Sequence, residues 1–401
     1  MNTNKRICHS FLILLPAGIG DAVMIGLSSI DQIIKNNPET FGKIDIVCND
    51  VQAEIFKHDP RIRHIIRVAS SIFPTPDIRT WMKAVFLQPA AHELLQIIRR
   101  QHYEAVFPGN TTPFFYMRIC VPIIHINGLK LLKDFLALRH HAEVPYSKIV
   151  RQIINAHFGN ILPEPTLGEE IPLYIGSQDI QKAIIEVQSI KERSSLPAKS
   201  CQLMVVAPDT ASVVTRPPTE LLATGIADAL VRNPHIIVHI LPGYTDQHAA
   251  ANLYHALWSR FGSRISMQPS QPRPTLLEIT ALIDQAHVFI TGDTGVMHLA
   301  VTRKKLREDE DTQILPQNAT KIITLFGGTN PGLFGYSNQS IILGKGRKEQ
   351  VRLVPGILKE AYYRKNQRLF EHISPQLLAD TIIHQLKHAV TLQFSSTAGI
   401  E

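Results

Sequence analysis

Short apolar runs alternate with amphipathic helical stretches along most of the chain, and this alternation limits the fold more than any other feature. A strand covered on both faces reads as a continuous apolar run, and strands separated by helices form βαβ units with a parallel sheet. In the first half, "SFLILL", "KIDIVCN", "HIIRVA", "YEAVFPG" and "IIHING" read as strands. Between them, "DAVMIGLSSIDQIIKN", "AAHELLQIIRRQ" and "VPYSKIVRQIINAHFG" read as helices. The Pro-bearing stretch "NILPEPTLGEEIP" then interrupts the pattern as an interdomain linker. The alternation restarts with strands "CQLMVVAP", "HIIVHILPG" and "HVFITG", and "KIITLFGG" closes the series; "PTELLATGIADALVRN" and "TLLEITALIDQA" are helices among them. A last amphipathic helix, "SPQLLADTIIHQLKHAV", opens at Ser374 with Pro375 in its first position.

The expected architecture is α/β, with two doubly wound domains facing a central cleft: residues 1–165 and residues 166–373. The terminal helix, 374–390, is expected to pack back on the N-terminal domain, and 391–401 reads as a disordered tail. Residues 303–320 form a charged insertion that could serve as a lid, an interface or a mobile loop.

Composition narrows the partners. Hydrophobic residues make up 44% of the 401 and charged ones 19%, enough for a sizeable core. A net charge of +7 favours anionic ligands. Nucleic acid is disfavoured, because no basic stretch interleaves with aromatics and "RKKLREDEDT" cancels its own charge. Cys8, Cys48, Cys120 and Cys201 form no CxxC pair, which argues against structural zinc or a disulfide framework and fits a reducing cytoplasm. The start, "NKRICHSFLILLPAGIG", imitates a signal peptide, but Pro16, two glycines and Asp21 break the apolar run, so it reads as a first strand and turn. No run is long enough to span a bilayer.

In open α/β sheets, ligands bind beyond the carboxyl ends of the strands. Four polar or glycine-rich loops follow strands here. In "LLPAGIGDAV", Gly18 and Gly20 make a tight turn and Asp21 opens a helix, as a cap or as a catalytic carboxylate. In "VVAPDTASVVTRPP", Thr210 and Ser212 offer hydroxyls and Arg216 is placed to meet a phosphate; an ordinary polar loop is the alternative. In "VFITGDTGVMHLA", Thr294 and Gly295 stand at a helix mouth, Asp293 precedes them as a ligand or a cap, and His298 follows one turn on as a ligand or a core residue. In "ITLFGGTNPGLFG", the glycines and Thr329 permit close approach of a ligand, or simply make a turn before Pro331. Four such loops in two domains point to one cleft site for a phosphorylated ligand.

"GIGDAVMI", "GDTGVMHLA" and "TLFGGTNP", in this order, resemble the pattern of glycosyltransferase family 9, which contains the ADP-heptose:lipopolysaccharide heptosyltransferases. "YEAVFPGN" and "HAEVPYSKIVRQIINAHFG" extend the likeness through most of the chain. The resemblance implies a GT-B fold of two Rossmann-like domains, with the acceptor on the N-terminal one and the nucleotide sugar on the C-terminal one. It implies inverting transfer from a nucleotide-diphospho-sugar, ADP-heptose above all, to an anionic glycolipid or other glycan acceptor, with no cofactor and no metal. It further implies a cytoplasmic enzyme with peripheral contact at the inner membrane. Asp21 matches the family's catalytic base, and Asp293, Thr294, Gly295 and His298 match its donor-binding segment. The chain departs from the family's P-G-A…K-R-W-P region: Asp209 stands for the Gly, Thr215 for the Lys and Pro217 for the Trp. Arg216 would take over the phosphate contact, and Asp246 in "LPGYTDQ" matches the acid that holds the ribose. A sugar-nucleotide epimerase or hydrolase, and a degenerate transferase kept as a binding subunit, are the rival readings.

Overall fold

The computed structural model describes residues 10–15, 18–68, 96, 103, 105–108, 146–158, 171–306 apart from 211, 213, 245 and 270, 320–336, 340–344 and 369–389. Its N-terminal sheet holds β1 (Phe11–Leu14), every residue of which is buried. The chain then enters α1 (Ile19–Asp21), a π-helical stretch Ala22–Leu27 and α2 (Ser28–Asn36). β2 (Ile44–Cys48), α3 (Asp50–Phe56), β3 (Ile62–Arg67), β4 (Ala105–Pro108) and α4 (Tyr146–His157) complete this half. The strands run parallel in the order β3-β2-β1-β4, with Phe11 level with Ile44 on one side and Ala105 on the other.

The second half begins with β5 (Pro172–Ile175) and α5 (Ser177–Arg193). β6 (Gln202–Ala207), α6 (Thr219–Arg232), β7 (Ile236–Ile240), α7 (His248–Phe261), β8 (Ile265–Met267), α8 (Leu276–Asp284) and β9 (Val288–Gly292) follow. Then come α9 (Gly295–Ala300), β10 (Arg303–Leu306), β11 (Lys321–Leu325), the one-turn α10 (Pro331–Phe334), β12 (Ser340–Leu343) and α11 (Pro375–Ala389). The parallel sheet order is β12-β11-β9-β6-β7-β8. Counted within the domain this is the doubly wound order 3-2-1-4-5-6, whose switch point falls between β6 and β9. The N-terminal sheet repeats the 3-2-1-4 part, with its switch point between β1 and β4.

Three expectations need correction. β11 does not end the strand series, because "SIIL" adds β12 at its free edge; that run is too short to stand out by periodicity. The charged insertion begins as a strand: β10 pairs in parallel with β5, Arg303 opposite Pro172, in a separate two-stranded sheet. Residues 307–319 lie outside the described residues. The terminal helix α11 packs on the C-terminal domain, not the N-terminal one. Its Leu378, Ala379, Ile382 and Leu386 enter a core shared with α6, α7 and one face of the large sheet. Gly225 of α6 lets it come close, since a Cβ there would stand 2.9 Å from the Leu378 side chain. "IIHING", the tail and the linker up to residue 170 also lie outside the described residues, while the linker's last residue, Pro172, opens β5.

A second apolar core joins the two halves. It runs from Ile13, Ile25 and Phe56 through Ile175 to Leu276, Phe289 and Leu299. One buried polar side chain is paired on both of its ring nitrogens. His239 on β7 is fully buried, with Nδ1 3.0 Å from Ser266 Oγ and Nε2 3.1 Å from Gln268 Oε1. Burial, against the Gln268 bond and helped by Arg193, pushes its pKa down to about 4. An unfolded His takes its proton near pH ~6.5. The unfolded state therefore binds more protons between those values, and stability falls as pH drops through that window, by at most about 3 kcal/mol. His239→Gln should flatten this slope in urea unfolding measured at pH 7 and at pH 4.5; an unchanged slope would place the acid sensitivity elsewhere.

Candidate active site

The four strand-end loops meet. The turn after β1 belongs to one domain and the other three, after β6, β9 and β11, to the other. Gly328 N donates to Val214 O at 2.9 Å, joining the β11 loop to the β6 loop. At Gly292, where β9 ends, a Cβ would stand 2.8 Å from Pro217 Cδ and collide with the Thr215 carbonyl, so only glycine lets those loops touch. Across the domain boundary, Gly295 lies against Ile19, and the backbone of Gly20 lies against the His298 ring. A Cβ on Gly20 would be 2.7 Å from His298 Cδ2.

Asp21 sits three residues into the helix that Gly18 opens, and its carboxyl bonds back to the Gly18 N–H. The cap reading is thereby corrected: Gly18 is the cap of α1, and Asp21 is a first-turn carboxylate. Burial pushes its pKa above the ordinary carboxylate range, while the His298 charge and the Gly18 N–H pull the other way. A carboxylate so raised is a better proton acceptor near neutral pH. The wide π-helical turn that follows begins directly after Asp21. Gln52 braces this loop: fully buried on α3, it donates from Nε2 to Gly18 O at 2.8 Å and accepts from Asn49 N at 3.2 Å.

In the C-terminal domain, Thr294 is the cap of α9, its hydroxyl accepting from Val296 N at 3.2 Å and Met297 N at 3.3 Å. Asp293 is thereby released from capping and stands 3.4 Å from His298 Nε2. His298 is 3% exposed, and its other ring nitrogen, Nδ1, lies 2.9 Å from Tyr336 Oη. It is a buried histidine with a polar partner on each nitrogen, facing the loop of Asp21.

The β6 loop closes on itself. Thr210 Oγ1 donates to Ser212 O at 2.5 Å, and Thr215 N and Oγ1 both reach the same carbonyl at 3.1 Å. Arg216 donates to Thr210 O at 2.9 Å and pairs with Asp246 at 2.7 Å. The two residues expected at phosphate and ribose are thus side by side. Asp246 also accepts from His248 N at 3.0 Å, and this bond first, then Arg216, holds its pKa below the usual range. Asp209, unexpected beside an anionic ligand, turns its carboxylate away into the start of α7. It accepts from Gly243 N at 3.0 Å, Ala249 N at 3.0 Å and Ala250 N at 3.3 Å. Thr329 Oγ1 is buried with no hydrogen-bond partner among the described residues, as a hydroxyl awaiting a ligand would be.

Sequence reasoning missed Gln52, Tyr336 and Glu54. Glu54 crosses between domains, accepting from Tyr244 Oη at 3.1 Å and from Leu276 N at 2.7 Å, while Arg273 covers the Tyr244 ring. None of the three sits in a glycine-rich loop. Only the capping-box spacing from Asn49 to Gln52 was visible in the sequence.

Residues 271–307, which include the Asp293–His298 segment, match the family model described as glycosyltransferase family 9 (heptosyltransferase). No curated protein matches the chain. Among solved structures, a family 9 glycosyl transferase from Veillonella parvula is 13% identical, with a TM-score of 0.65 over 97% of this chain and 99% of its own. The ADP-heptose lipopolysaccharide heptosyltransferase II of Escherichia coli is 13% identical, with a TM-score of 0.59 over 94% and 99%. The E. coli heptosyltransferase WaaC with ADP is 17% identical, with a TM-score of 0.53 over 89% and 99%. These likenesses give the two-domain fold, GT-B. The segment 271–307, matched to the family 9 model and set in that fold, is what the chain shares with these proteins.

Proposed function

We propose that the chain is an inverting transferase that moves heptose from ADP-heptose onto a lipopolysaccharide-core, other cell-envelope or secondary-metabolite acceptor, without a bound metal. The acceptor lies on the N-terminal domain and the donor on the C-terminal one, with the work done at the cytoplasmic face of the inner membrane. The observation that carries this reading is the meeting of Asp21 and His298 across the domain boundary, at the Gly20 contact. An acceptor hydroxyl gives its proton to the Asp21 carboxylate, and its oxygen bonds to the anomeric carbon from the face opposite the nucleotide. The bond from that carbon to the diphosphate oxygen breaks, and its electron pair leaves with the phosphate. On this reading Arg216, the Thr329 hydroxyl and the His298 side chain share that charge. Related solved structures hold ADP and ADP-2-deoxy-2-fluoro heptose, which supports the choice of nucleotide.

A thermal-shift titration with ADP, UDP, GDP and dTDP tests the donor. At 100 times its dissociation constant a ligand stabilises the fold by about 2.7 kcal/mol, so the expected rise in melting temperature with ADP is easily seen. A rise with a different nucleotide instead would change the sugar donor. No rise with any of them would overturn the transferase reading in favour of a degenerate binding protein.

A further inference from the structure

The structure assigns Tyr336 as a positioning residue that fixes which nitrogen of His298 carries the proton. It lies just beyond α10, and its hydroxyl is 2.9 Å from His298 Nδ1, with the two rings edge-on at 5.6 Å and 75°. On the other side, His298 Nε2 faces the Asp293 carboxylate at 3.4 Å and the Gly20 backbone of the opposite domain. A carboxylate is an acceptor only, so the nitrogen turned toward it carries hydrogen. In a neutral imidazole the remaining nitrogen, Nδ1, is then an acceptor, and the Tyr336 O–H donates to it. Burial, with the Asp293 charge, pushes the Tyr336 hydroxyl far above the usual tyrosine range against the pull of Arg151, so it keeps the proton it donates.

The consequence is chemical. With the reverse arrangement, a bare Nε2 lone pair would face the loop of Asp21 and compete with that carboxylate for the acceptor's proton. With Nε2–H fixed, His298 presents a hydrogen-bond donor there and leaves the acceptor's proton to Asp21. Rotation of the ring is blocked by the same contact, because turning it would put a carbon against the Tyr336 hydroxyl. This role rests on the transferase reading only for its purpose; the proton placement itself stands on the geometry.

The test is long-range nitrogen–proton correlation of the full-length protein labelled with ¹⁵N-histidine, at pH 7.5 and without ligand. The His298 signal is assigned by its loss in His298→Gln and, independently, by its displacement in Asp21→Asn. The expected wild-type pattern is Nε2–H, with Nδ1 shifted upfield as a hydrogen-bonded acceptor. In Tyr336→Phe, Nδ1 should move downfield to the position of an unbonded nitrogen. A wild-type Nδ1–H pattern overturns the assignment whether or not any Tyr336 variant folds. An unmoved Nδ1 in folded Tyr336→Phe, checked by circular dichroism, overturns it as well. Failure of all four nucleotides to bind in the titration above would remove the transferase reading and leave these spectra unchanged, so the two failures are separable.

Discussion

Asp21→Asn should retain nucleotide binding and lose turnover by about 10²–10⁴-fold, the usual cost of removing a positioned general base. Asparagine keeps the size of the side chain, and its carbonyl oxygen can still accept from the Gly18 N–H, so the start of α1 survives. What it cannot do is take the acceptor's proton. In the wild-type protein, burial holds the Asp21 carboxyl above the usual carboxylate range. A base must be deprotonated to act, so kcat/KM should fall on the acid side at a pH above that at which an exposed aspartate would lose activity. Nucleotide affinity by thermal shift and turnover with an active acceptor separate the two effects. Unchanged turnover would leave Asp21 as a first-turn carboxylate bonded to Gly18 and nothing more.

Arg61→Ala should cost the fold about 3–5 kcal/mol, because it strands a buried partner. The Arg61 side chain is 5% exposed and grips Asp59 with both ends of its guanidinium, at 2.8 Å and 2.6 Å. It also donates to Pro172 O at 3.4 Å and lies 5.1 Å from the centre of the Tyr174 ring, both on β5. The Asp59 side chain is 1% exposed, so losing Arg61 leaves a carboxylate with no water to replace its partner. Urea unfolding measures the loss. Arg61→Met combined with Asp59→Leu should regain most of it, since no charge is then left unpaired. A loss below about 1 kcal/mol for the single variant would mean that water reaches Asp59 and that the pair behaves as a surface one.

Much of the fold was legible because parallel strands buried on both faces are apolar throughout. "FLIL", "IDIVC", "QLMVVA", "IIVHI" and "VFITG" are visible as runs and all became strands. β10 was not legible. "RKKL" has three cations, and it holds as a strand because Lys304 Nζ finds Asp284 at 3.0 Å and Ala300 O at 2.7 Å, contacts formed only after folding. Nor could the seat of α11 be read: an amphipathic helix shows which face it buries, but not against which domain. The site was legible at its loops, where glycine and short polar residues follow apolar runs. It was illegible at its braces. Gln52 and Tyr336 act through partners 34 and 38 residues away in the chain, and no local pattern marks such a distance. The Asp209 substitution looked like a conflict of charge, yet three backbone N–H groups of another loop and helix resolve it.

The contacts that Gly20 and Gly295 allow have one more implication. Asp21 and His298 are carried by different domains and meet where two bare backbones touch. On the proposed reading, neither domain alone would hold a complete reaction centre, and any opening of the cleft would separate the base from the histidine. Reaction would then be confined to the closed arrangement, and an open one would be silent toward its activated sugar.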